Sequence, residues 1–130
     1  MTSAAHSVVV TVTADIVVAD VCLDGTNTCK KKERVVKRVI GLPNETVYAK
    51  DGIVYVNGKQ IDSSFTSSDT EDFSLDDIGF TKLRGDDYFI MGDNRSISMD
   101  SRSFGPVSKD QIVGKASFVI WPINKIKKLN

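Results

Sequence analysis

The sequence predicts a mainly β fold: antiparallel β-sheets with few or no helices. Three observations carry that reading. Short runs rich in Val, Ile, Tyr and Thr recur along the chain, each bounded by Gly, Pro, Asn, Asp or Ser. Asn57-Gly58 sits between two such runs, the dipeptide that most strongly marks a two-residue hairpin. No stretch carries the i, i+3, i+4 apolar spacing of an amphipathic helix, and no segment repeats.

In chain order, Val8 to Thr13 is β-branched throughout and predicts a strand. Asp15 to Ala19 predicts a second. Asp24 to Glu33 is polar, with the turn residues Asp24-Gly25-Thr26-Asn27 at its tip. Val35 to Ile40 is a strand stopped by Gly41-Leu42-Pro43, with apolar residues on both faces, as in a covered central strand. Thr46 to Ala49, Ile53 to Val56 and Lys59 to Ile61 form a meander. The Ser-, Thr- and Asp-rich residues 62–79 have the least structured composition, that of a mobile loop. Tyr88 to Met91 is an apolar strand entering a polar loop. Ser108 caps a single helical turn to Ile112, and Val113 to Trp121 is a last strand ended by Pro122.

A chain of 130 residues is one domain and can bury a core without metal help. The reading is a single domain over 1–130, with a core at about 8–45 and 85–130 and a hairpin and loop insert at about 46–84. Seventeen basic residues balance seventeen acidic ones, so the chain has no electrostatic footprint for nucleic acid. One His and two Cys make no zinc site, and no cofactor or metal is expected. Cys22 and Cys29 fit equally a disulfide-closed loop in an oxidising compartment and a pair of free thiols. No stretch is long and apolar enough to span a membrane, and no signal peptide is recognisable.

Two stretches carry chemistry. Lys37 shares the face of Val35 and Val39. A lysine held among valines loses hydration, which disfavours its charged form and suits it to act as a general base. The plain alternative is a protonated lysine that snorkels to a sheet edge. The second stretch is Gly92-Asp93-Asn94-Arg95-Ser96-Ile97-Ser98-Met99-Asp100-Ser101-Arg102, dense in hydroxyls and opposite charges. A turn bonded by its own Asn and Asp side chains would need less ion pairing than this.

Together these stretches resemble the type I signal peptidases, Ser-Lys dyad enzymes, and in particular the Gram-positive members. Val36-Lys37-Arg38-Val39-Ile40-Gly41-Leu42-Pro43 is similar to the family's lysine box, with Asn44-Glu45 where the family has Gly-Asp or Gly-Glu. Residues 92–102 match the box Gly-Asp-Asn-Arg, two variable positions, Ser, one variable position, Asp-Ser-Arg. Phe104-Gly105-Pro106-Val107, Ile112-Val113-Gly114-Lys115 and Trp121-Pro122 extend the likeness over roughly residues 33–126. The resemblance implies the signal peptidase and repressor C-terminal type of fold. It also implies Lys37 as general base and Ser98 as the hydroxyl that orients its amine. Arg38, Asp93, Asn94, Arg95, Asp100 and Arg102 are implied to brace the loop, Arg38 pairing with Asp93. The substrates implied are signal peptides of exported preproteins, cleaved after small residues at the extracytoplasmic face of the cell membrane.

The family's nucleophile box, Ser-Met-x-Pro-Thr-Leu, is expected upstream of the lysine. No Ser-Met precedes Lys37, and Pro43 is the first proline. Ser3 and Ser7 lie in the wrong context. The 130 residues are therefore expected to lack a complete dyad and to cleave poorly or not at all. That leaves an alternative, an inactive signal-peptidase-like protein assisting pilus or surface-protein assembly. A self-cleaving repressor domain is a weaker one, with no DNA-binding segment in view. The last strand presents Val119, Trp121 and Ile123 on one face, followed by Lys125, Lys127 and Lys128. This end is suited either to an anionic membrane surface or to a second layer that covers Trp121 and leaves the lysines merely solvated.

Overall fold

In a computed structural model, residues 15–23, 29–61, 66, 69–97 and 99–115 are described. The strand expected at 8–13, the chain from 116 onward with the Trp121 face, and Ser98 lie outside them.

Among the described residues nine strands form two antiparallel sheets, which agrees with the fold class expected. The first sheet contains β1 (Ile16–Cys22), β2 (Lys32–Gly41), β7 (Asp87–Met91), β8 (Val107–Ser108) and β9 (Ile112–Lys115), in the order β8-β7-β2-β1-β9. The second contains β3 (Val47–Lys50), β4 (Ile53–Val56), β5 (Lys59–Gln60) and β6 (Phe73–Ser74), in the order β5-β4-β3-β6. One short helix, α1 (Ser101–Phe104), follows the polar loop.

β2 lies at the centre of its sheet, and its alternation serves two cores at once. Val39 joins Val17, Ala19, Val21, Tyr88, Ile90, Val107 and Ile112 on one side. Ile40 joins Phe89 and Met91 on the other, against Val47, Ala49, Val54 and Val56 of the second sheet. Apolar residues on both faces of a strand require cover on both faces, and the second sheet supplies one of the two covers. Each fully buried Ile or Phe contributes about 1.5–3 kcal/mol of hydrophobic stabilisation.

At Gly41 the two layers approach closely. A Cβ there would lie 2.6 Å from Val47 Cγ2 and 2.8 Å from Leu83 Cδ1, so no larger residue fits without displacing the small sheet. Asn57 and Gly58 both have positive φ, 53° and 80°, as a two-residue turn of the expected kind requires.

Two expectations need correction. Residues 62–79 are not loop throughout: Phe73–Ser74 form β6, Leu75–Ile78 form a 3-10 turn, and Phe73 stacks on Phe89 with centroids 5.5 Å apart. Composition hid this because two apolar anchors, Phe73 and the buried Leu75, suffice to dock an otherwise polar segment. The strand expected over 15–19 runs on to Cys22, because Val21 continues the inward alternation of Val17 and Ala19. Of the two readings of the cysteines, the structure has the disulfide: Cys22, the last residue of β1, is bonded to Cys29, just before β2.

Candidate active site

Lys37 lies opposite Val17 in the β1–β2 ladder, with Val35 opposite Ala19. It thus occupies a position on the face that carries the first core, and only 5% of it is exposed. Loss of hydration is the main cause that moves its amine below the ordinary lysine value of 10.5. Asp100 opposes that shift, Arg102 reinforces it, and Glu33 and Asp93 oppose it. An amine so placed gives up its proton more readily than one in water, as the strand reading anticipated.

The neighbouring stretch, Arg38, extends to the other face, opposite Met91. Its guanidinium donates twice to Asp93, Nε to Oδ1 at 2.8 Å and Nη2 to Oδ2 at 2.7 Å. This bidentate, mostly buried pair ties β2 to the start of the polar loop. β2 thereby presents the amine on one face and a clamp for the loop on the other, from adjacent residues.

The end of the loop is held by Asp100, which is completely buried. Its carboxylate accepts from the backbone N–H of Gly92 (3.0 Å) and of Arg102 (3.1 Å). It also takes Nε and Nη2 of Arg102 at 2.8 and 2.7 Å. Asp100 caps α1 and closes the loop back on its first residue. Ser101, also fully buried, accepts from Ile90 N–H at 2.9 Å and fixes α1 to β7.

Arg95 behaves differently from its charged neighbours. It is 3% exposed, and these hydrogen bonds go to neutral partners: Nε donates to the Gly92 carbonyl at 2.8 Å and Nη1 to Thr70 Oγ1 at 2.9 Å. Nη2 is buried without a hydrogen-bond partner among the described residues. Loss of hydration, with Arg102 nearby, lowers its pKa to about 10, so it stays charged at neutral pH. Asn94 accepts from the Ser96 hydroxyl at 3.0 Å within the loop.

Of the residues singled out in the sequence, Arg38 with Asp93 and Asp100 with Arg102 are brought into ion pairs, and Arg95 into a hydrogen-bonded anchor. Ser98 lies outside the described residues. Its neighbours Ile97 and Met99 are both exposed. Sequence reasoning missed Thr70 and Ser101. Ser101 sat in plain view inside Asp100-Ser101-Arg102, but nothing distinguished Thr70 from the other hydroxyls of its polar stretch. Among the described residues, no three His, Cys, Asp or Glu side chains are grouped to hold a metal ion. No helix among them is long and apolar enough to cross a membrane.

Comparison with known proteins gives a consistent picture. The family model described as signal peptidase, peptidase S26, matches residues 5–121. Signal peptidase I S of Bacillus subtilis (strain 168) is 42% identical over 103 residues, covering 73% of this chain and 56% of the relative. Signal peptidase I of Bacillus amyloliquefaciens is 42% identical over 115 residues, covering 83% and 60%. Signal peptidase IB of Staphylococcus aureus (strain N315) is 37% identical over 111 residues, covering 75% and 58%. The chain therefore spans somewhat over half the length of these curated relatives. The crystal structure of a signal peptidase I from Enterococcus faecalis V583 superposes with a TM-score of 0.70 at 29% identity, over 85% of this chain and all of that one.

Proposed function

The chain belongs to the signal peptidase family, peptidase S26, and on that premise we propose that the protein is a type I signal peptidase. It is read as a serine endopeptidase that removes signal peptides from exported preproteins, after small residues, at the extracytoplasmic face of the cell membrane. The observation that carries the reading is Lys37: a lysine 5% exposed in a central strand, with its amine pushed toward the neutral form.

In this reading Lys37 Nζ, unprotonated, takes the proton of a serine hydroxyl as its oxygen attacks the scissile carbonyl. The resulting ammonium then gives the proton to the departing amine, and the neutral amine deprotonates the water that hydrolyses the acyl-enzyme. Ser98 orients the Lys37 amine. Arg38, Asp93, Asn94, Arg95, Asp100 and Arg102 hold the loop that carries Ser98. The attacking serine is not assigned to any described residue.

Other features support the setting. The Cys22–Cys29 disulfide suits an oxidising compartment outside the cytoplasm. In sequence, Trp121 and the lysines after it suit contact with an anionic membrane surface, and no nucleic-acid partner is proposed. The division into a core at about 8–45 and 85–130 and an insert at about 46–84 belongs to the same proposal. The second sheet, wholly within that insert, supports it.

The test is preprotein cleavage by the full-length gene product, wild type against Lys37→Ala. The expected outcome is cleavage after a small residue, reduced about a thousandfold or more in the variant. A folded, full-length protein that cleaves no preprotein would favour the inactive assembly factor instead. The relatives described above, each called a signal peptidase I, favour the peptidase.

A further inference from the structure

The polar loop is clamped to the first sheet by Arg38–Asp93 and closed on itself by Asp100. A third attachment leads elsewhere. Arg95 reaches out of the loop to Thr70, 25 positions earlier in the chain, in the segment leading into β6. Thr70 is itself 4% exposed and bridged to Gly52 in the turn between β3 and β4. Two residues on, Asp72 Oδ1 accepts from Asp51 N–H of that turn at 2.9 Å. The segment carrying Thr70 is thus pinned twice to the second sheet, and Thr70 presents its hydroxyl to the loop.

We propose that Thr70 is a positioning residue for Lys37: its hydroxyl holds Arg95, and through it the loop from Gly92 to Asp100, against the small sheet. This deepens the proposed function and rests on it. Three features make the bond matter. Arg95 is a buried cation, so each acceptor it has replaces lost hydration. Its Nε fixes the Gly92 carbonyl, and the Gly92 N–H is fixed by Asp100, so both sides of one residue depend on these two charges. Finally, a cleft of about 260 Å³ opens between Glu71 and Phe73 on one side and Arg95, Arg102 and Ser103 on the other. Packing across the joint is incomplete there, which leaves the hydrogen bond a larger share of the attachment.

Releasing Arg95 leaves the loop held by Arg38–Asp93 and Asp100 alone, and so loosens the placement of Asp93, Asp100 and Arg102 around Lys37. These groups, with Glu33, are the charges acting on its amine. Water then reaches the amine, and because lost hydration is the largest influence on it, regaining hydration outweighs the weakened pull of Asp100 and Asp93, so its proton is held more tightly. Thr70→Val keeps the shape but loses the acceptor, while Thr70→Ser keeps the acceptor.

The test has two arms. In the 130-residue chain, NMR of the Lys37 side chain follows its titration: the midpoint rises in Thr70→Val and stays at the wild-type value in Thr70→Ser. In the full-length gene product, Thr70→Val lowers kcat about tenfold with KM nearly unchanged, and Thr70→Ser restores it. If Thr70→Val does not fold, Thr70→Ala carries the same comparison. An unchanged midpoint in a folded Thr70→Val overturns the proposal, as does a loss equally large in Thr70→Ser. The titration arm needs no peptidase activity. Failure of the wild type to cleave preproteins would therefore sink the functional reading while the positioning role is still decided.

Discussion

Lys37 and Arg95 are two buried cations about equally hidden from water, 5% and 3% exposed. Burial lowers the proton affinity of both, yet the two regions put that to opposite use. The amine of Lys37 can lose its charge, so desolvation pushes it toward the neutral form that the proposed general base needs. The guanidinium of Arg95, at about 10, keeps its charge at neutral pH and must be satisfied instead, by the Gly92 carbonyl and the Thr70 hydroxyl. Desolvation therefore favours the neutral form where the side chain can deprotonate and demands hydrogen-bond partners where it cannot. The positions also differ in what surrounds them. Lys37 interrupts an apolar strand face, whereas Arg95 sits in a loop whose backbone carbonyl lies within its reach.

The largest effect that separates the two cations is on stability. Arg95→Ala leaves a cavity and strips Gly92 and Thr70 of a donor, so denaturant unfolding of the 130-residue chain should show a loss of about 3 kcal/mol. Lys37→Met replaces a desolvated cation with an apolar side chain of similar length. It should instead stabilise the same chain by about 1 kcal/mol at neutral pH while abolishing catalysis in the full-length protein. If both substitutions destabilise alike, burial costs are not what distinguishes the sites.

A smaller and graded effect follows from pH. The folded-state pKa of Lys37 lies below the unfolded value near 10.5, so the unfolded chain binds the proton more tightly. The cost of burying the charge is fully present below the folded pKa and disappears as pH rises toward 10.5. The advantage of Lys37→Met over wild type should therefore shrink across that window. If the proposed peptidase reading holds, the acid limb of kcat/KM should have its midpoint below 10.5, where the free amine appears. Parallel stability curves for the two proteins would mean that Lys37 is not desolvated in solution.

How much of this was legible beforehand depends on how local each signal was. The covered strand of Lys37 could be read because alternating valines and Ile40 put apolar side chains on both faces within one short run. The hairpin at Asn57-Gly58 and the pairing of Arg38 with Asp93 could be read too, the first from turn chemistry and the second from the family box. The docking of Phe73 and Leu75 could not, since it depends on Phe89 and the second core, far away in sequence. Thr70 was invisible for the same reason: its role exists only once Arg95 arrives beside it. The arginines of the polar loop looked alike in sequence, yet Arg102 meets a carboxylate and Arg95 meets neutral acceptors. Charge density predicts that ion pairs form but not which cation is left for the backbone.

The smallest effect belongs to a third cation, which controls for the other two. Arg34 makes a bidentate pair with Asp20 across the β1–β2 ladder, Nε to Oδ1 at 2.8 Å and Nη2 to Oδ2 at 3.1 Å. Its geometry matches that of Arg38 with Asp93, but the pair is exposed. The Asp20 hydrogen bond raises the Arg34 pKa, and the partner carboxylate is correspondingly lowered, mainly by the same bond. Water and salt screen both charges, and free side chains lose entropy to make the pair. Arg34→Ala should leave the melting temperature of the 130-residue chain unchanged within error, and added salt should make no difference to that result. Arg38→Ala, with identical chemistry removed from a buried setting, leaves Asp93 desolvated and uncompensated and should lower the melting temperature by several degrees. Equal shifts for Arg34→Ala and Arg38→Ala would show that pair geometry, rather than burial, sets the strength of these contacts.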